Sequence, residues 1–168
     1  NKWTEANDIE STSDDSYIIA GQTGANAWLI KTDSEGREIW SNDFGGKMLD
    51  KATAIRQTPD GEFILAGATK SFGAGKTDAW LIKTDSEGNE IWSRTFGGED
   101  DDQFTSLQLA PDSGYILAGE IGSIGWLIKI DAEGNEIWSR NFNYVDLFSS
   151  LQLAPDGGYI LAGEKHST

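Results

Sequence analysis

Carboxylates are the side chains of this sequence with the widest chemical reach. Its 168 residues include 28 Asp and Glu against 13 Lys and Arg, with one His and no Cys. Two carboxylates a few ångströms apart can cleave a glycosidic bond, and Asp50, Asp78, Asp101 and Asp146 are the candidates for such a pair. Glu99-Asp-Asp-Asp102 offers oxygen ligands of the kind that Ca²⁺ collects; the plainer reading is a solvated acidic loop, and no other cofactor is expected. Nucleophilic catalysis needs a base beside the nucleophile, and the single His166 lies in a ragged tail. Zinc needs clustered His or Cys. The run Gly73-Ala-Gly-Lys-Thr77 is too short for a phosphate loop and is followed by strand-type residues rather than a helix. No catalytic constellation emerges, so an enzyme is not expected.

The elements that position these residues repeat. Tyr17-Ile-Ile-Ala-Gly21, Phe63-Ile-Leu-Ala-Gly67, Tyr115-Ile-Leu-Ala-Gly119 and Tyr159-Ile-Leu-Ala-Gly163 are copies of one run, each preceded by turn chemistry such as Pro59-Asp60 or Pro111-Asp112. Trp28-Leu-Ile-Lys31, Trp80-Leu-Ile-Lys83 and Trp126-Leu-Ile-Lys129 form a second set. Asp33-Ser-Glu-Gly36, Asp85-Ser-Glu-Gly88 and Asp131-Ala-Glu-Gly134 then lead into Glu38-Ile-Trp40, Glu90-Ile-Trp92 and Glu136-Ile-Trp138. These acidic turns lack the ligand spacing of an EF-hand and read as hairpin turns. One full unit predicts strands over Phe104 to Leu109, Tyr115 to Gly119, Trp126 to Ile130 and Glu136 to Phe142, with no helical period between them. Four strands in a unit of this size is the signature of a β-propeller blade. The fold class is therefore all-β: a single propeller array over 1–168 of four-stranded antiparallel blades, with repeats near 1–46, 47–98, 99–142 and 143–168. The Ala-Gly ending each second strand is expected where neighbouring sheets approach closely, and the Trp side chains between blades.

The unit resembles the WD-repeat blade, Leu107 to Gly114 matching its innermost strand and first turn and Trp126 to Ile130 its third strand. It is also similar to tandem propeller repeats of prokaryotic, especially archaeal, cell-surface and secreted proteins, in which Gly-Tyr-Ile-Leu-Ala-Gly precedes Trp-Leu-Ile-Lys-Thr-Asp. It lacks the Gly-His and Trp-Asp dipeptides of WD repeats and any match to cofactor-binding residues of quinoprotein propellers. The resemblance implies a fold and an extracellular or cell-surface setting; activity does not transfer with fold.

Composition narrows the partners. A formal net charge of −15 repels phosphate backbones, so nucleic acid is not expected, and no apolar run is long enough for membrane insertion. Asn1 is not an initiator Met, so removal of an upstream segment is expected. The repeat phase gives three whole blades and the inner half of a fourth, which leaves Tyr159, Ile160, Leu161, Ala162 and Gly163 as an unpaired edge for association. The expectation is a fragment of a longer propeller or a homo-oligomer; the alternative is a closed four-bladed monomer capped by Lys2 to Glu5. Turns that are uniform between copies belong to the scaffold, whereas the second-to-third and blade-to-blade connections vary, so a site belongs on their face. Lys47, Asp50, Lys70, Phe72, Lys76, Asp78, Tyr144 and Asp146 are its candidates. The expected function is a non-catalytic interaction or surface-scaffold module presenting these loops to a protein or glycan. The alternative is a carbohydrate-active enzyme or lectin using carboxylates on the same face.

Overall fold

A computed structural model describes residues 3–165, placing His166 and Lys2 outside the described residues. Alternating apolar residues in short runs, each bounded by turn residues, form fourteen strands and no helix among them. Blade 1 comprises β1 (Thr4–Ser11), β2 (Tyr17–Thr23), β3 (Asn26–Thr32) and β4 (Glu38–Phe44). Blade 2 comprises β5 (Asp50–Gln57), β6 (Phe63–Thr69), β7 (Asp78–Thr84) and β8 (Glu90–Phe96). Blade 3 comprises β9 (Asp102–Leu109), β10 (Tyr115–Ile121), β11 (Ile124–Ile130) and β12 (Glu136–Phe142). β13 (Leu147–Leu153) and β14 (Tyr159–Glu164) pair as a two-stranded sheet, the inner half of a fourth blade. Each four-stranded sheet is an antiparallel meander with its strands in sequence order.

The turns that close these hairpins are set by side-chain chemistry. In the third-to-fourth turns Asp33, Asp85 and Asp131 each accept the backbone N–H two and four residues on, and Gly36, Gly88 and Gly134 take the left-handed φ that follows. In the first-to-second turns a third-strand Lys reaches back, Lys31 to Asp14, Lys83 to Glu62 and Lys129 to Asp112. The second-to-third connection of blade 3, one of those expected to vary, is short. Gly122 and Ser123, at φ 54° and 77°, make a two-residue turn, and pairing continues up to it.

The core lies between blades. One apolar cluster joins Ile18, Leu29 and Phe44 of blade 1 to Ile55, Phe63, Leu65 and Trp80 of blade 2. A second joins Ile64 and Leu81 of blade 2 to Phe104, Leu107, Tyr115 and Trp126 of blade 3. The third joins Ile116 and Leu127 of blade 3 to Phe148 and Leu151 of blade 4. β6, covered by a blade on each side, is buried along its whole length. Thr4 and Glu5 pair with Thr23 and Gln22 of their own blade, so this part of the expected cap is instead the start of β1.

The second-strand glycines need their shape for a reason other than the one expected. A Cβ at Gly67 would stand 2.0 Å from the Lys51 carbonyl oxygen, and one at Gly119 2.0 Å from that of Gln103. Both carbonyls belong to the adjacent first strand of the same blade, not to a neighbouring sheet. A bulge there, after Ala52 in β5 and after Phe104 in β9, pushes the backbone over the glycine.

Candidate functional site

The variable face carries a notch of about 320 Å³ between blades 2 and 3, with Gln22 of blade 1 reaching its rim. Lys51, Gln103 and Glu120 form its polar wall: Lys51 Nζ donates to Gln103 Oε1 at 2.9 Å, and Gln103 Nε2 donates to Glu120 Oε1 at 2.6 Å. Lys70, Thr77, Ala68, Leu49 and Asp101 complete the lining. The wall therefore offers a cation, an amide and a carboxylate in sequence, a set suited to polar recognition.

The loops around the notch are held by buried carboxylates. Asp50, at the start of β5, accepts from Thr69 Oγ1 (2.5 Å), Ser71 Oγ (2.7 Å) and Gly46 N (2.9 Å), and also from the amides of Lys70 and Ser71. Asp78 receives the Ala74 and Gly75 amides, tying back the long loop. Asp102 receives Gly98 N at 2.7 Å and Gly122 N at 2.9 Å. All three carboxylates are at most 3% exposed. Burial pushes the Asp102 carboxyl above the usual carboxylate range, aided by the nearby charges of Asp78 and Asp100 and opposed by the two donated amides. Between loops, Thr77 Oγ1 donates to Asp101 Oδ1 at 2.6 Å and Met48 N to Ser71 Oγ at 3.0 Å, so the three connections form one interlocked rim.

Several expected residues meet at this rim. Lys47 is exposed on the loop that precedes Asp50, while Lys70, Asp50, Asp101 and Asp102 line the notch. Phe72, on the connection between β6 and β7, is half exposed with its ring 5.7 Å from Trp80. Lys76 is exposed and lies 3.9 Å from Asp100. Tyr144 and Asp146 stand apart at the junction of blades 3 and 4, Tyr144 exposed and edge-on to Phe142 and the Asp146 amide bonded to the Glu164 carbonyl. Among the described residues no group of three or more His, Cys, Asp or Glu is placed to hold a metal ion. Glu99 and Asp100 are exposed, while Asp101 turns to Thr77 and Asp102 inward.

Lys51, Gln103, Glu120 and Gln22 line the notch at the ends of the connections expected to vary, but were not among the named candidates. Their signal lay in register. Glu5, Lys51, Gln103 and Leu147 occupy one repeat position, and their cross-strand partners are Gln22, Ala68, Glu120 and Glu164. Strand positions that change chemistry between otherwise uniform copies are freed from the blade's own needs.

The sequence matches no known family description and no curated protein. The fold does match solved structures. A Bacteroides caccae protein of unknown function aligns with TM-score 0.65 and 14% identity, over 97% of this chain and 54% of its own. The WD40 β-propeller domain of Doa1 aligns with TM-score 0.68 and 15% identity, over 95% of this chain and 48% of that one. The Dos1 propeller aligns with TM-score 0.66 and 15% identity, over 94% and 42%. This chain is propeller-like in fold and spans about half the length of the solved structures it matches. Among the described residues no helix is long and apolar enough to cross a membrane.

Proposed function

We propose that the chain is a non-catalytic interaction module whose second and third blades present the notch and its rim to a protein or glycan. The observation that carries this reading is how the buried carboxylates are used. Asp50, Asp78 and Asp102 each hold loop amides, which fixes the shape of the rim, while the wall of Lys51, Gln103 and Glu120 faces the cavity. A rigid rim with a graded polar wall recognises a partner at low entropic cost. Phe72 adds an aromatic surface beside it. The resemblance to surface-protein repeats supports an extracellular or cell-surface setting within the same proposal, which immunodetection in the surface fraction of the source cells would check.

The test is an NMR titration of labelled protein with panels of peptides and oligosaccharides. Binding should move the amides of Lys51, Gln103 and Lys70, and Lys51→Ala or Gln103→Ala should weaken it by about tenfold. Products released from any oligosaccharide would overturn the non-catalytic reading. Shifts confined to residues away from the rim would overturn the choice of site.

A further inference from the structure

The three seams between blades use one set of side-chain locks, and its two halves are also displayed on opposite faces of the array, where no further blade of the described residues meets them. At the bulge of each first strand a polar side chain donates to a backbone carbonyl of the next blade: Asn7 Nδ2 to Ala52 O at 2.8 Å, Thr53 Oγ1 to Phe104 O at 2.7 Å, and Thr105 Oγ1 to Phe148 O. The residue after it accepts a backbone amide in two of the seams, Asp8 from Ile55 N at 3.0 Å and Ser106 from Leu151 N at 3.1 Å. In the third seam Gln108 Nε2 also donates to Leu151 O. An apolar pair completes each lock: Ile18 with Ile55, Ile64 with Leu107, Ile116 with Leu151.

By repeat register the next donor is Ser149, the next acceptor Ser150, the next glutamine Gln152 and the next apolar residue Ile160. All four are exposed, Ile160 by 61%, whereas its equivalents Ile18, Ile64 and Ile116 are 0% exposed. On the far side of the array the receiving positions are the Ala6 carbonyl and Ile9. Ile9 is 59% exposed, whereas its equivalents Ile55, Leu107 and Leu151 are at most 1% exposed. The two displayed half-locks are complementary.

We infer that blade 4 of one copy packs on blade 1 of a second copy, Ser149 to the Ala6 carbonyl, Ser150 to the Ile9 amide and Ile160 against Ile9, in the register of the internal seams. The contact is heterologous, and two copies that exchange it close on each other through two identical intermolecular seams. This differs from pairing along the β14 edge, because the contact is face to face and its specificity comes from side chains at the first-strand bulge.

Sedimentation and light scattering at high micromolar concentration should show a dimer. Ile9→Glu and Ile160→Lys should each weaken it by about tenfold or more, with unchanged circular dichroism and melting profile showing that the blades still fold. Mixing the two variants should restore the dimer, since each mixed pair has one native seam and one seam with Glu opposite Lys. A protein that stays monomeric, or a dimer that Ile9→Glu leaves intact, overturns the inference. So does a mixture that fails to reassociate.

Discussion

Asp102 shows how one carboxylate can hold a loop and still work against the fold at neutral pH. Its pKa is raised by burial, so the folded state holds the proton more tightly than the unfolded chain does. The contribution of Asp102 to stability therefore grows as pH falls through the folded pKa and is complete below the unfolded one. Asp33, Asp85 and Asp131 behave in the opposite sense. Donated hydrogen bonds, from Arg37 to Asp33, Asn89 to Asp85 and Asn135 to Asp131, lower their pKa, so their contribution is present above the unfolded carboxylate range and is lost as pH falls through the folded values. Urea titrations between neutral and mildly acidic pH should show the stability difference between wild type and Asp102→Asn moving in favour of wild type on acidification. A difference that does not change with pH would mean that Asp102 carries no excess proton affinity.

At the level of elements, the bulge organises both the blade and the seam. Gly67→Ala puts a methyl group against the Lys51 carbonyl and should cost roughly 1–3 kcal/mol or more, read by chemical denaturation; an equivalent change at Gly98, where a Cβ meets nothing within 4 Å, should cost much less. Thr53→Val keeps the shape but removes the donor to the Phe104 carbonyl, and should cost about 1 kcal/mol by the same measurement. The strands were legible because their apolar alternation and turn residues recur with every copy, and the half-blade followed from repeat phase. The bulge was not, because it is a register shift between two strands and leaves no mark in either one read alone. The rim was half legible: Asp50 and Lys70 stood out by charge. Lys51, Gln103 and Glu120 sat inside strands, where polarity normally reports an outward-facing side chain.

As a whole molecule the protein carries a formal charge of −15, so two copies repel before any seam forms. Added salt screens that repulsion while the apolar contacts of Ile9 and Ile160 remain. The proposed dimer should therefore tighten with ionic strength, measured by sedimentation across a salt series; weakening with salt would point to ion pairs as the driving contact. Because the core resides in seams, cohesion is a nearest-neighbour property, and the sheets do not share one interior. Among the described residues, blades 2 and 3 are each clamped from both sides, whereas the two strands of blade 4 have a seam with blade 3 alone. In an isolated chain, amide hydrogens should exchange fastest in β13 and β14 and slowest in β6 and β10, in a graded series rather than a single cooperative step. The same isoleucine then has two values: Ile116→Ala weakens an internal joint, while Ile160→Ala is nearly silent until a neighbour arrives. Tolerance to mutation along this chain is set by how many blades flank a residue.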